Sequence, residues 1–126
     1  MSVARLAIAA FCTLAVQALA CGVCVEDKVA ATYDHALVTQ ALKQGRVVVF
    51  AEPRADIDAA TLTRKLAAAA ARTHGVVASS VRTAQSPLSL SFVLDPRASP
   101  PARALAAIAR RANVTGLQLE ALRVMQ

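Results

Sequence analysis

Six segments with strand or helix periodicity follow one another from Arg46 onward, and their order restricts the fold more than any other feature of the sequence. Runs of β-branched and aromatic residues predict strands, and apolar residues at three- and four-residue steps predict helices. The predicted elements are a strand over 46–51, a loop over 52–56, a helix to about residue 73, strands over 76–83 and 88–94, a helix after Ser99 and a last strand from Leu117.

The strand over 88–94 has the clearest pattern. Its three leucines and Phe92 fall on one face, and Ser89 and Ser91 fall on the other. Successive side chains of a strand point to opposite faces of the sheet. This segment therefore predicts a sheet with one face turned toward a core.

Both helices of this region carry start signals. Asp56 or Asp58 can cap the first helix, because a side-chain oxygen at that position accepts from the free backbone amides. Ser99 followed by Pro100 predicts the start of the second helix, since Ser caps helices and Pro suits their first turn.

The order strand-helix-strand-strand-helix-strand is that of the ferredoxin-like fold, an α+β sandwich of four antiparallel strands with two helices on one face. An additional helix is predicted over 25–44, and Gly45 ends it. That helix is a candidate to cover the second face of the sheet or to act as a partner-binding arm.

Residues 1–20 have the pattern of a secretory signal peptide. Arg5 is followed by a short apolar run, and the segment ends in Ala18-Leu19-Ala20. Cleavage after Ala20 predicts a periplasmic protein. The chain then divides into the signal at 1–20, a motif and helix at 21–45, and a ferredoxin-like domain at 46–126.

The signal segment has two other possible fates. A lipoprotein anchor on Cys21 is less favoured, because Ala18 stands where such signals usually have Leu. The apolar run is too short for a comfortable membrane span, so we expect none after cleavage. An uncut chain would be a membrane-anchored protein with the same soluble domain.

The charge of the chain is basic but scattered. The formal net charge of +6 becomes +5 when Arg5 is removed, with 13 cations (14 minus 1) against 8 anions. One Tyr and three Phe offer few platforms on which bases could stack. We therefore expect no nucleic-acid partner, and a weak attraction to anionic membrane surfaces at most.

The chemistry of the predicted mature chain is concentrated in Cys21-Gly22-Val23-Cys24, at its start. Cys12 leaves with the signal, so these two thiols remain. Soft thiolate ligands select copper(I), whereas a closed zinc site needs four ligands. The spacing therefore predicts a copper(I) site. The alternatives are a small disulfide, which an oxidising compartment permits, or an idle pair.

His35 is a candidate third metal ligand. Along one continuous helix it would lie roughly 16 Å from Cys24, at 1.5 Å per residue. Chelation would then require the chain to bend back before the helix, or a second molecule packed antiparallel. The alternative is a surface or capping histidine beside Asp34. No catalytic set of residues is apparent, so we expect no enzymatic activity.

Residues 46–126 resemble a heavy-metal-associated domain, the family of copper chaperones and of the metal-binding domains of copper-pumping ATPases. The resemblance is carried by Gly75-Val76-Val77 through Val81, by Leu90-Ser91-Phe92-Val93-Leu94-Asp95-Pro96 and by 104–112. It implies a ferredoxin-like fold and metal binding. The family carries its Cys-x-x-Cys after the first strand, where this chain has Glu52-Pro53-Arg54-Ala55-Asp56, so the motif is displaced to the mature N-terminus.

Three functional hypotheses from different classes are consistent with the sequence. The favoured one is a periplasmic protein that buffers or delivers copper(I), with an envelope protein or a second copy as partner. The second is a non-catalytic interaction module that uses an open face of the sheet and has an incidental Cys pair. The third is a thiol-disulfide oxidoreductase, less favoured because no strand precedes the motif.

Overall fold

The structure is a computed structural model that describes residues 24–126; the predicted signal and Cys21 lie outside the described residues. Two short helices come first, and the ferredoxin-like unit follows them. The elements are α1 (Val25–Ala30), α2 (His35–Lys43), β1 (Val47–Arg54), α3 (Ala59–Ala71), a 3₁₀ turn (Ala78–Ser80), β2 (Arg82–Gln85), β3 (Leu88–Leu94), α4 (Pro101–Ala112) and β4 (Gln118–Met125).

The four strands form one antiparallel sheet in the order β2-β3-β1-β4. In the middle of the sheet, Val49 lies opposite Phe92 on one side and Val124 on the other. The predicted α+β, ferredoxin-like fold with additional N-terminal helical structure is confirmed. In the part of the chain that the structure describes, no helix is both long and apolar enough to cross a bilayer.

The larger core lies between the sheet and helices α3 and α4. Leu62, Leu66 and Ile108 are fully buried there against Val49 and Phe92. Burying one such side chain stabilises the fold by about 1.5–3 kcal/mol relative to leaving it exposed. The predicted alternation of β3 is confirmed, because its leucines and Phe92 belong to this face.

A smaller core lies on the opposite face of the sheet. Val29 of α1 and Val38 of α2 are buried against Val48, Phe50 and Val93. The expectation that N-terminal helical structure covers this face is therefore confirmed.

The prediction of one continuous helix over 25–44 is wrong, because the chain turns between α1 and α2. The amides of Thr32 and Tyr33 bond to carbonyls three residues back, which ends α1. The Asp34 carboxylate then accepts from the amide of Leu37 at 3.2 Å and caps α2. Asp is a favoured residue at the start of a helix, and here that preference interrupts the apolar periodicity.

The predicted loop over 52–56 is partly strand, since β1 continues through Arg54. Pro53 is tolerated because the pairing of β1 with β3 ends at Ala51, so that at Pro53 only β4 lies beside the strand. Proline lacks an amide hydrogen and is confined to strand positions where one side needs no donor.

The predicted strand over 76–83 is also interrupted. Val76 forms an isolated bridge to Leu94, and then a 3₁₀ turn precedes the short strand β2. The buried hydroxyl of Ser80 accepts from the amide of Val93 at 2.8 Å and donates to the carbonyl of Val77 at 2.6 Å. The side chain thus supplies a bond that a continuous strand would have made with its backbone.

Of the two predicted capping sites, one is confirmed and one is wrong. Asp58 caps α3 by accepting from the amide of Thr61 at 2.8 Å, and this bond lowers the pKa of the Asp58 carboxyl. Ser99 does not cap α4, because its hydroxyl donates to the carbonyl of Pro100 instead. The helix begins one residue later than predicted, with Pro101 in its first turn.

Candidate metal centre at the N-terminal helix

Cys24 lies directly before α1 and is exposed. Its carbonyl accepts from the amides of Asp27 and Lys28 at 3.1 and 3.2 Å, which fixes the backbone of the residue at the helix start. Its thiol lies 3.4 Å from a carboxylate oxygen of Asp27. Structural cysteines outside disulfides are usually buried as small apolar side chains, so packing does not explain this one.

An ion pair joins the middle of α1 to the first strand. Lys28 Nζ lies 2.9 Å from Glu52 Oε1, and both side chains are largely shielded from solvent, at 17% and 15% exposure. The hydrogen bond from Lys28 is the main cause of a lowered pKa for the Glu52 carboxyl, and Arg54 lowers it further at 3.2 Å. Partial burial of Glu52 acts in the opposite direction.

A second ion pair joins the start of α1 to the last strand. The Arg123 guanidinium donates from Nη1 to Glu26 Oε2 at 3.1 Å and from Nη2 to Glu26 Oε1. This forked hydrogen bond lowers the pKa of the Glu26 carboxyl and raises that of Arg123. Exposed pairs contribute little to stability, so its main effect is to orient the first turn of α1 on β4.

Together these contacts hold Cys24 at a defined place on the α1 face of the sheet. Val29 supplies the buried apolar contact of α1, and Lys28 and Glu26 fix its direction. An acidic residue such as Glu26 suits the first turn of a helix because of the helix dipole. No local pattern could have indicated its partner, because 97 residues separate Glu26 from Arg123.

His35 is the first residue of α2 and is exposed. Its Nδ1 lies 3.2 Å from the hydroxyl of Tyr33, and the Tyr33 ring stacks on Phe50 with 6.4 Å between ring centroids. The estimate of roughly 16 Å to Cys24 assumed a continuous helix, so it does not apply to the broken one. The described contacts of Cys24 and His35 are separate, and the structure does not join these residues in one cluster.

Within residues 24–126, no three His, Cys, Asp or Glu side chains are grouped so that they could hold a metal ion. The copper(I) hypothesis pairs Cys24 with Cys21, which lies outside this range.

The end of β1 carries a cluster of ion pairs. Glu52 accepts from Lys28 and Arg54, and Arg54 also lies 3.5 Å from Glu120. These contacts join α1, β1 and β4, so the residues at the end of β1 support the helix that follows Cys24.

No protein-family model, curated protein or solved structure matches this chain. The ferredoxin-like fold is shared by proteins of many unrelated functions. The function must therefore be argued from Cys24 and its surroundings.

Proposed function

We propose that this protein is a periplasmic copper(I)-binding protein that buffers the ion or delivers it to an envelope partner, with Cys21 and Cys24 as ligands and without enzymatic activity of its own. The observation that carries the proposal is the exposed Cys24 at the start of a helix that two ion pairs fix to the sheet. The likeness of residues 46–126 to heavy-metal-associated domains supports it.

The chemistry of the pair suits a soft ion that is held and passed on. Two thiolates favour copper(I) over harder cations. An exposed ligand can be approached by the ligands of a partner, so the ion can transfer by stepwise exchange of thiolates. A site buried in the core would retain its ion, and the position of Cys24 is the opposite of that arrangement.

His35 has a secondary role in this proposal. Its ring contacts Tyr33, and within one chain it would have to leave that contact to reach an ion at the Cys pair. We therefore expect the two thiolates to supply most of the affinity and His35 to add little.

Competition against a copper(I) chelator tests the proposal. The reduced, exported protein should bind one ion per chain, or one per two chains. Cys21→Ser and Cys24→Ser should each remove most of the affinity, because one thiolate leaves the ion without its second ligand. His35→Ala is the matched control outside the pair and should retain most of it. If the double Cys variant competes as well as the parent, the metal proposal is wrong.

The interaction-module hypothesis needs a different docking surface from the open sheet face that the sequence indicated. It required an open face of the sheet, and α1 and α2 pack on that face. A docking surface is therefore better sought at the edge of the sheet. The oxidoreductase hypothesis predicts that the parent protein reduces disulfides and that the Cys variants do not.

A further inference from the structure

The outer edge of β4 is long and has no strand partner among the described residues. β4 runs over Gln118–Met125 and pairs with β1, while the sheet order places it at the end. An edge strand of this length presents a row of backbone donors and acceptors, which can pair with a strand of another molecule. The opposite edge, β2, has only four residues.

The sequence of β4 is complementary to itself when two copies run antiparallel. With a two-fold axis at Ala121, each charged residue lies opposite its counter-charge, and Leu119 lies opposite Val124. The resulting pairs are Glu120 with Arg123, Leu119 with Val124, Gln118 with Met125 and Ala121 with its own copy, and the bulged Leu122 takes no part in the pairing. Opposite charges and apolar side chains in directly opposed positions stabilise a strand pair.

A bulge in β4 makes this register consistent on both faces of the sheet. Ala51 lies opposite Ala121 and Phe50 lies opposite Arg123, so Leu122 is an additional residue. In a regular strand, residues three apart point to opposite faces. The bulge instead puts Glu120 and Arg123 on the same face, so that each can meet its counter-charge in a second copy.

The helix side of the same edge is apolar. A groove between α4 and β4 is lined by Leu105, Ala109, Leu119 and Ala121, among other residues. Its small alanine side chains allow a close approach by a second molecule. In a two-fold pair, the groove of one copy lies beside that of the other, so strand pairing would also cover apolar surface.

We propose that two copies of this chain form a symmetric dimer by antiparallel pairing of their β4 strands, which joins the two sheets into one of eight strands. A two-fold axis requires a self-complementary contact, and the charge pattern of β4 meets that requirement. The proposal goes beyond copper binding and does not depend on it.

The dimer would bring the two N-terminal helices to one side of the joined sheet. Arg123 of each chain orients Glu26, two residues after Cys24. In the proposed register the two Arg123 positions are offset by two ladder positions along the strands, because Glu120 and Arg123 lie opposite Glu52 and Phe50 of β1, and this offset is roughly 7 Å. Both Cys24 residues would then lie on the same face of the joined sheet, an arrangement that permits one ion to be shared by two chains.

Sedimentation over a concentration series, with reductant and a chelator present, tests the dimer in the absence of metal. The parent should show a reversible monomer–dimer equilibrium. Glu120→Arg and Arg123→Glu should each raise the dissociation constant about tenfold or more, because two attractive pairs become repulsive. Thr83→Glu, on the other edge of the sheet, should leave it unchanged.

Mixing the two charge variants provides the decisive measurement. In a mixed dimer, the chain carrying Glu120→Arg offers two positive side chains, and the chain carrying Arg123→Glu offers two negative ones. Equimolar mixing should therefore lower the dissociation constant again, to well below that of either variant alone. This rescue separates the intermolecular pairs from the lost contact between Arg123 and Glu26.

A parent protein that stays monomeric at every concentration overturns the proposal, as does a mixture with no gain in dimer. Glu120→Arg keeps the contact between Glu26 and Arg123 and changes a side chain that is 63% exposed, so its effect on association stands even if Arg123→Glu fails to fold. Since metal is absent, failure of the dimer leaves the copper proposal standing, and failure of the copper competition leaves the dimer standing.

Discussion

At the scale of single residues, side chains replace backbone hydrogen-bond partners at the points where regular structure stops. Asp34 and Asp58 cap helices, and Ser80 bonds to the amide of Val93 where the chain leaves the sheet for a 3₁₀ turn. Buried backbone amides must find partners, so the strand interruption at 78–80 depends on this one hydroxyl.

Ser80→Ala should therefore destabilise the protein by about 1–3 kcal/mol, the cost of leaving a buried donor unsatisfied. Ser79→Ala is the control, since Ser79 is exposed and participates through its carbonyl only. It should change stability by about 0.5 kcal/mol or less. Urea unfolding measures both variants, and equal effects would show that the Ser80 hydroxyl is dispensable.

At the scale of elements, the sequence predicts best where one periodicity is uninterrupted. The alternation over 88–94 gave both ends of β3, because each apolar side chain there faces the same core. The prediction of one helix over 25–44 is wrong because the cap at Asp34 lies inside a periodic pattern. The strand over 76–83 failed because a β-branched run does not show that a side chain will replace a ladder bond.

The candidate site was predictable to a similar degree. The Cys spacing and a helix following Cys24 could be recognised locally, and the start of α1 at Val25 agrees with them. The attachment of α1 to the sheet could not be predicted, because Glu26 and Lys28 pair with residues of β4 and β1 that are far away in the sequence.

The attachment of α1 should depend on pH through Glu52. Its pKa is lowered in the folded protein, so its stabilising contribution is present above the ordinary carboxyl pKa and is lost as pH falls through the lowered folded value. On acidification, backbone NMR signals of Val25–Ala30 should shift before those of β3. Glu52→Gln should produce the shifted signals already at neutral pH.

Glu120→Gln is the matched control for Glu52→Gln. Glu120 also faces Arg54, but at 3.5 Å and with both side chains more than half exposed, and it does not touch α1. The amides of α1 should be unaffected by this change. If both variants perturb α1 equally, the charge near Arg54, and not the bond from Lys28, governs the attachment.

At the scale of the whole molecule, one sheet separates two cores of unequal size. Among residues 24–126, the core under α3 and α4 contains 14 buried hydrophobic residues, and the one under α1 and α2 contains six. Apolar burial is the main favourable term in folding. The ferredoxin-like unit should therefore hold most of the stability, and the N-terminal helices should be able to open without it.

The difference in size between the two cores predicts different outcomes for two side-chain truncations, one in each core. Phe92→Ala empties the centre of the larger core and should lower the free energy of unfolding by about 3–5 kcal/mol. Val38→Ala removes two carbons from the smaller core, which costs about 2 kcal/mol or less. Because regions of low burial open locally, the second change should act mainly on α1 and α2.

Amide hydrogen exchange distinguishes these outcomes. With Val38→Ala, exchange should accelerate in α2 while β3 and α4 keep their parental protection; with Phe92→Ala it should accelerate throughout the sheet. Equal acceleration of α2 and β3 in the Val38 variant would contradict the prediction and show one cooperative unit. Separate opening matters for the copper proposal, since an independently opening α1 would let Cys24 reach a partner's ligands while the sheet and its β4 edge stay folded.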